Sequence, residues 1–411
     1  MKKITETLKA AVILKFIFIL FIVSILSKEG FAYQDTITLG ALSDNTLYED
    51  AAGTISNGQG KYLHTGKGNT GLIRRALVRF MLVEFVPPCS KILSVTLKMH
   101  LSGGSTANKT IQLRRITDYW GEGNSDAPGL EENGTVSTSY DATWKHKFYN
   151  SDFWANAGGD YSAVSSGNAV VGAPGFYTWG STPQMVSDVQ NWTDDNSTAN
   201  GWLLLGDESA TSTAKRFHSS EADTFSFVPE ITVIYKTANF SLYMESLIEG
   251  FWDGATMVDD TLKVKLRNSN FPYNVVDSAA EVCGTYGGNF CFFNAPSGDY
   301  YISVNHRNTI ETWSKQPVTF IVNDYHYYDF TDFASKAYGD NEVYKLLENC
   351  FYSGDVNQDM IIDATDMSMT ENDASNSLSG YVSTDVTGDD FVDAGDLSIV
   401  ENNVGVSAVT P

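Results

Sequence analysis

Ile73-Arg74-Arg75-Ala76-Leu77-Val78-Arg79-Phe80 has the length and composition of a β-strand. Period-two alternation puts Arg75, Leu77 and Arg79 on one face and Arg74, Ala76, Val78 and Phe80 on the other. Similar runs follow at Leu93 to Leu101, Thr110 to Thr117, Trp202 to Leu205 and Pro229 to Tyr235, separated by Gly, Asn and Ser clusters. Strands at this spacing predict that residues 35–236 are an all-β jelly-roll sandwich.

After Lys236-Thr237-Ala238-Asn239 the pattern restarts. Ser241 to Ile248, Thr261 to Arg267, Asn289 to Phe293, Tyr300 to Asn305 and Pro317 to Val322 read as strands, with Tyr325 to Phe333 closing the set. Residues 240–335 suit one small sandwich. From about residue 345 the composition turns to Asp, Asn, Ser and Gly, and a repeat appears with a spacing of thirty residues. The expected architecture is therefore mainly β, with two sandwiches followed by a small α-helical module.

Upstream, Lys2, Lys3 and Lys9 precede an apolar run from Phe16 to Leu26, and Gly30-Phe31-Ala32 supplies small residues. Residues 1–32 read as an export signal cleaved after Ala32. The run is short for a bilayer core of roughly 30 Å, so no transmembrane span is expected after cleavage, and the protein is expected outside the cell or on its surface. The 27 Lys+Arg against 50 Asp+Glu give a formal net charge of −23, which argues against nucleic acid as a partner. Cys283 and Cys291 flank a turn-like Gly-Thr-Tyr-Gly-Gly-Asn stretch; a disulfide and two free thiols remain alternative readings.

The repeat carries the clearest chemistry. Asp355-Val356-Asn357-Gln358-Asp359-Met360-Ile361-Ile362-Asp363-Ala364-Thr365-Asp366 is matched by Asp385-Val386-Thr387-Gly388-Asp389-Asp390-Phe391-Val392-Asp393-Ala394-Gly395-Asp396. Side-chain oxygens stand at loop positions 1, 3, 5, 9 and 12: Asp355, Asn357, Asp359, Asp363 and Asp366, then Asp385, Thr387, Asp389, Asp393 and Asp396. Ile361 and Phe391 offer backbone carbonyls at position 7. A hard cation such as calcium needs six to eight oxygen ligands, so two calcium sites are expected. Position 8, Ile362 and Val392, is expected to pair the loops back to back. Short helices are expected at Thr365 to Asp373 and Gly395 to Asn403.

The last sixty or so residues resemble type I dockerins, which repeat a calcium loop and a helix with Asp at position 12. The resemblance implies a cohesin-like or cell-surface protein partner and a part in polysaccharide degradation or surface assembly. The chain departs from it at position 6, where Met360 and Asp390 replace the usual Gly, and at Thr387, a weaker ligand.

Asp44-Asn45-Thr46-Leu47-Tyr48-Glu49, the strand from Arg74 to Phe80, Trp120-Gly121-Glu122-Gly123, Gly201 to Glu208 and Arg216-Phe217-His218-Ser219-Ser220-Glu221 together resemble the DNRLRE domain family. Met81 and His218 replace Asp residues usual there. The resemblance implies a polysaccharide-binding jelly roll, often with a structural calcium. Residues 240–335 resemble small transthyretin-like or immunoglobulin-like spacer domains through Gly288 to Phe292 and Gly298 to Tyr301. Arg75, Arg79, Arg115 and Arg216, if they converge, are candidates to clamp carboxylates of an acidic glycan; pairing with the chain's own acids is the other reading. Trp120, Trp144, Trp154, Trp179 and Trp192 are candidates for sugar stacking, although burial in a core is the commoner fate.

No Gly-x-Ser-x-Gly, Cys/His or metal-type histidine spacing appears, so no catalytic residue is assigned. The expected function is non-catalytic polysaccharide binding coupled to calcium-dependent docking. The alternatives are a polysaccharide lyase or glycoside hydrolase with its site in the N-terminal sandwich, and a structural surface adhesin.

Overall fold

A computed structural model describes residues 34–285 and 287–411; the expected export signal, residues 1–32, lies outside the described residues. The protein is mainly β and divides into two compact units, 34–237 and 238–411. Among the described residues no helix is long and apolar enough to cross a membrane.

The first unit is built on one curled, antiparallel sheet of eleven strands. They are β1 (Gln34–Gly40), β2 (Ser43–Tyr48), β3 (Tyr62–Lys67), β4 (Ile73–Arg79), β5 (Ser90–Gly104), β6 (Lys109–Ile116), β7 (Tyr161–Val171), β8 (Gly175–Trp179), β9 (Trp202–Leu205), β10 (Lys215–His218) and β11 (Glu230–Thr237). The order is β1-β11-β5-β10-β3-β4-β9-β6-β7, with β8 on β5 and β2 on β4. The sheet folds over on itself so that Leu97, Met99, Leu101, Phe217 and Val233 meet Ala76, Val78, Leu113, Trp202 and Leu204 in one core. In β5 the buried side changes from Ile92 to Val95 because a bulge opposite Ile234 and Tyr235 shifts the register.

The reading of 35–236 as all β passes over helix α1 (Pro183–Asp194). Thr182 caps it by accepting from Met185 N, Pro183 opens it, and Met185, Val189 and Trp192 recur at helical spacing to seal the core. A second apolar layer lies on the opposite side of β4, β6 and β9. There Leu47, Leu77, Ile116 and Leu203 pack under Trp120, Trp144 and Trp154. Strand β4 is thus covered on both faces. Trp120, Trp144, Trp154, Trp179 and Trp192 are all buried, which leaves none of them as a sugar platform.

The second unit holds a sandwich of a three-stranded and a five-stranded sheet. β12 (Phe240–Glu245) lies between β15 (Gly288–Phe292) and β19 (Tyr325–Asp329), the latter parallel to it. β13 (Asp260–Asn268) joins β14 (Val275–Cys283) to β16 (Gly298–Asn305), which also pairs with β17 (Thr312–Trp313) and β18 (Val318–Phe320). Phe240, Leu242, Met244, Leu262, Val264, Ile302 and Val304 fill the space between them.

Cys283 and Cys291 are not joined: Cys283 is a free, fully buried thiol. It ends β14 facing the core, which pushes its thiol up to about 12 through burial. Cys291 alternates with the buried Phe290 and Phe292 on β15 and so faces away from that core. The turn between the two strands is real, but it connects strands of different sheets.

Candidate functional site

The duplicated loops lead into α2 (Ala364–Ser375) and α3 (Ala394–Asn403). Both helices begin the same way. Asp363 and Asp393 cap them, and Asp366 and Asp396 return a carboxylate to the cap residue's N–H, at 2.9 and 2.8 Å. The helices therefore start at loop position 10, as the spacing requires.

Inside each loop the first carboxylate organises the backbone. Asp355 accepts from the N–H groups of Asp359 (Oδ1, 3.1 Å) and Met360 (Oδ2, 3.1 Å). Asp385 accepts from Gly388, Asp389 and Asp390 at 2.7, 3.2 and 3.3 Å. The last carboxylate closes the ring: Asp366 Oδ1 accepts from Val356 and Asn357 N–H, and Asp396 Oδ1 from Val386 and Thr387 N–H. Asp359 and Asp389 at position 5 accept from Ile361 and Phe391 N–H at 3.1 and 3.0 Å.

This wrapping needs left-handed backbone at two places. Position 4 has φ 59° at Gln358 and 74° at Gly388, and position 6 has φ 76° at Met360 and 67° at Asp390. The loops share one conformation although only Gly388 is a glycine. In each, positions 1 and 12 are buried while positions 5, 6 and 7 are exposed. Two carboxylates thus form a floor under an open rim of oxygens.

Burial raises Asp355 to about 6; the Met360 N–H works against that shift, and the nearby charge of Asp366 adds to it. Burial likewise raises Asp385, opposed by the Gly388 N–H and by Arg307. Deep carboxylates that repel one another are what a divalent ion would relieve. The donor set, all oxygen, fits calcium and gives no soft ligand for zinc or copper.

The loops are not joined back to back through position 8. Ile362 N donates to Val406 O and Gly405 N to Ile362 O, both at 2.8 Å, in the segment that follows α3. Val392 N donates to Leu378 O at 3.0 Å, in the segment that follows α2. Each loop is therefore tied to the tail of the other repeat. Ile362 and Val392 are buried as expected, but Ile362 packs with Val356, Val386, Val400 and Ile310.

Ile310 belongs to the sandwich, and so do the residues that brace the second loop. Arg307 Nε pairs with Asp260 Oδ2 at 2.9 Å, and its other nitrogens reach Asp385 O (2.9 Å), Asp385 Oδ2 (3.4 Å) and Val382 O. Asn308 Nδ2 donates to Asp385 O at 2.8 Å, and Tyr381 Oη donates to Asp260 at 2.6 Å. At the other loop, Glu249 accepts from Ser353 N and Asn403 Nδ2. Glu249, Asp260, Arg307 and Asn308 lie far from the repeat in sequence, and no local spacing marks them.

The four candidate arginines do not converge; they take part in separate contacts within the protein. Arg75 forms a two-pronged pair with Glu208 (2.8 and 3.0 Å) and donates to Gly158 O, between the rings of Trp144 and Tyr161. Arg79 is buried against Tyr119 and Trp120 and donates to Ser43 Oγ and Trp120 O. Arg115 sits in register with Trp202, which in turn faces Val78, so it lies on the other side of the sheet from Arg75 and Arg79. It meets the buried Asp188 of α1 at 3.5 Å. Arg216 bonds Ser102 Oγ at 2.9 Å and stacks over Tyr62.

No protein-family model matches the chain, and no curated protein matches it. Solved structures similar to it include two complexes of type II cohesin with X-dockerin from Acetivibrio cellulolyticus, one with a C-terminal and one with an N-terminal interface mutation. They are 15% and 14% identical, with TM-scores of 0.27 and 0.26, and each match covers 41% of this chain and 96% of that chain. At those TM-scores the likeness does not bear on what this chain binds.

Proposed function

We propose that this protein is a secreted, non-catalytic polysaccharide-binding protein whose C-terminal loops bind two calcium ions and present helices α2 and α3 to a protein partner of the cohesin type. One observation carries the reading: two twelve-residue loops of different sequence take the same backbone, including left-handed residues at positions 4 and 6. A chance Asp-rich turn has no reason to recur in that form. The first ion would be held by Asp355, Asn357, Asp359, the Ile361 carbonyl, Asp363 and Asp366. The second would be held by Asp385, Thr387, Asp389, the Phe391 carbonyl, Asp393 and Asp396. Calcium supplies the positive charge that lets these carboxylates share one small space. The glycan part of the reading rests on the resemblance of residues 35–236 to DNRLRE domains and on their sandwich architecture, with the four arginines holding the fold.

Calcium titration calorimetry on the full chain tests the docking part. Two sites are expected, and ion at a hundred times Kd in both stabilises the second unit by about 5 kcal/mol. The paired substitution Asp355→Ala with Asp385→Ala removes the heat of these two loop sites and the chelator sensitivity of the second unit. Unchanged thermal melts with and without chelator sink the proposal. A glycan array of acidic and neutral polymers tests the other part, and binding to none of them removes it.

A further inference from the structure

The outer face of the first unit's sheet carries a histidine pair that neither the loops nor the arginines use. β8, β5, β10 and β3 lie side by side, and Phe176, His100, His218 and Tyr62 form one row across them. Phe176 stands opposite His100 and Tyr62 opposite His218; the pairing of Leu101 with Phe217, carried on by one residue, sets His100 opposite His218. Leu63, Met99, Leu101 and Phe217 beside them are fully buried, so the row faces away from the core. The two histidines are 118 residues apart in the chain, which is why no local spacing marks them.

Their Nδ1 atoms lie 3.0 Å apart. Phe227 stacks on His100 (centroids 3.9 Å, planes 13° apart) and on His218 (4.8 Å, 29°), and Phe176 meets His100 edge-on at 4.7 Å. These rings hold the imidazoles with the two nitrogens facing each other. Burial lowers both histidines from their ordinary value, and at His218 the neighbouring imidazole adds to the effect. Both rings are therefore neutral near neutral pH: one Nδ1 carries a proton and the other presents its lone pair. Two imidazole nitrogens on one tetrahedral ion, each at about 2.0–2.1 Å, stand about 3.3 Å apart, so the pair is already close to a chelating span.

We propose that His100 and His218 chelate a transition-metal cation of the copper, nickel or zinc class through their Nδ1 atoms. The proton between them moves to Nε2 of its own ring, so both lone pairs reach the ion and no proton is released. Among the described residues no third His, Cys, Asp or Glu completes the set, so water or an outside oxygen fills the remaining positions. An all-imidazole protein donor pair places copper(II) highest in the affinity order. His218 is one of the positions where the chain departs from the domain family it resembles, so the pair is no part of that resemblance. No residue is shared with the loops, and the ion is of a different class.

The test titrates the full chain with Cu²⁺ in excess Ca²⁺, which keeps oxygen-only sites occupied, and follows it by electron paramagnetic resonance. One equivalent of Cu²⁺ coupled to two imidazole nitrogens is expected. His100→Gln and His218→Gln each remove one donor; because the second imidazole binds intramolecularly, either change weakens uptake roughly tenfold or more and leaves coupling to a single nitrogen. The wild-type spectrum decides even where a variant fails to fold. Coupling to oxygen alone or to one nitrogen overturns the proposal, as does a two-nitrogen signal that survives either substitution.

Discussion

In the first calcium loop, Met360 holds a backbone conformation that its side chain disfavours. Its φ of 76° lies in the left-handed region, where an ordinary L-residue costs about 1–2 kcal/mol. Replacement by Gly or by Ala removes the same half-exposed side chain, so the difference between the two variants isolates the backbone term. Glycine gives up about 0.4–1 kcal/mol through its freer unfolded state. The Met360→Gly variant should therefore exceed Met360→Ala in stability by about 0.5–1 kcal/mol, the reverse of the order at an ordinary site. With an m-value of about 2 kcal/mol/M, the urea midpoints separate by roughly 0.3–0.5 M in the presence of chelator. The N–H to Asp355 Oδ2 survives in both variants, so calcium uptake by the Gly form should be at least that of the Ala form. If the Ala variant matches or exceeds the Gly variant in both readouts, position 6 does not carry the strain assigned to it. The loop conformation would then have to be redrawn.

Glu342 is buried with neither carboxyl oxygen paired, and burial followed by Asp329 pushes it up to about 9. A folded pKa above the unfolded value makes stability greatest below the unfolded pKa and lost progressively as pH rises toward about 9. Urea midpoints from pH 5 to 8 should fall in the wild type and stay flatter in Glu342→Gln, which gains on the order of 3 kcal/mol at pH 8; parallel curves would refute this. Arg75→Ala strips Glu208 and the Gly158 carbonyl of their partner in a largely buried site and should cost the first unit about 3 kcal/mol by thermal denaturation. Arg75→Lys should recover little of that, since an ammonium cannot make the two-pronged contact. A stable Arg75→Ala variant with lost glycan binding would reinstate the clamp.

The loops could be read from sequence because the carboxylate-to-backbone hydrogen bonds that wrap them fall within twelve residues, from Asp355 to Asp366 and from Asp385 to Asp396. The helix starts were equally local, set by Asp363 and Asp393. The strand at Ile73 was legible from alternation, but not its neighbours. Which side of the sheet Arg115 occupies depends on its pairing with Trp202, and that register is fixed by contacts far away in the chain. The same holds for Cys283 and Cys291, whose orientations follow from membership of two different sheets. Helix α1 did announce itself, in Thr182-Pro183 and the spacing of Met185, Val189 and Trp192, within a segment otherwise rich in strand-forming runs. The bracing of Asp385 by Arg307 and Asn308 had no sequence signal, since it depends on a sandwich edge arriving beside the repeat.

The crossed attachment of the loops makes the two repeats a clasp with each prong threaded through the opposite half. Residues Gly405 and Val406, at the far end of the chain, are structurally part of the first repeat through Ile362. Neither repeat can then be excised as a working half. A cut or a bulky fusion just beyond Asn403 should loosen the loop at Asp355 before it disturbs the nearer one at Asp385.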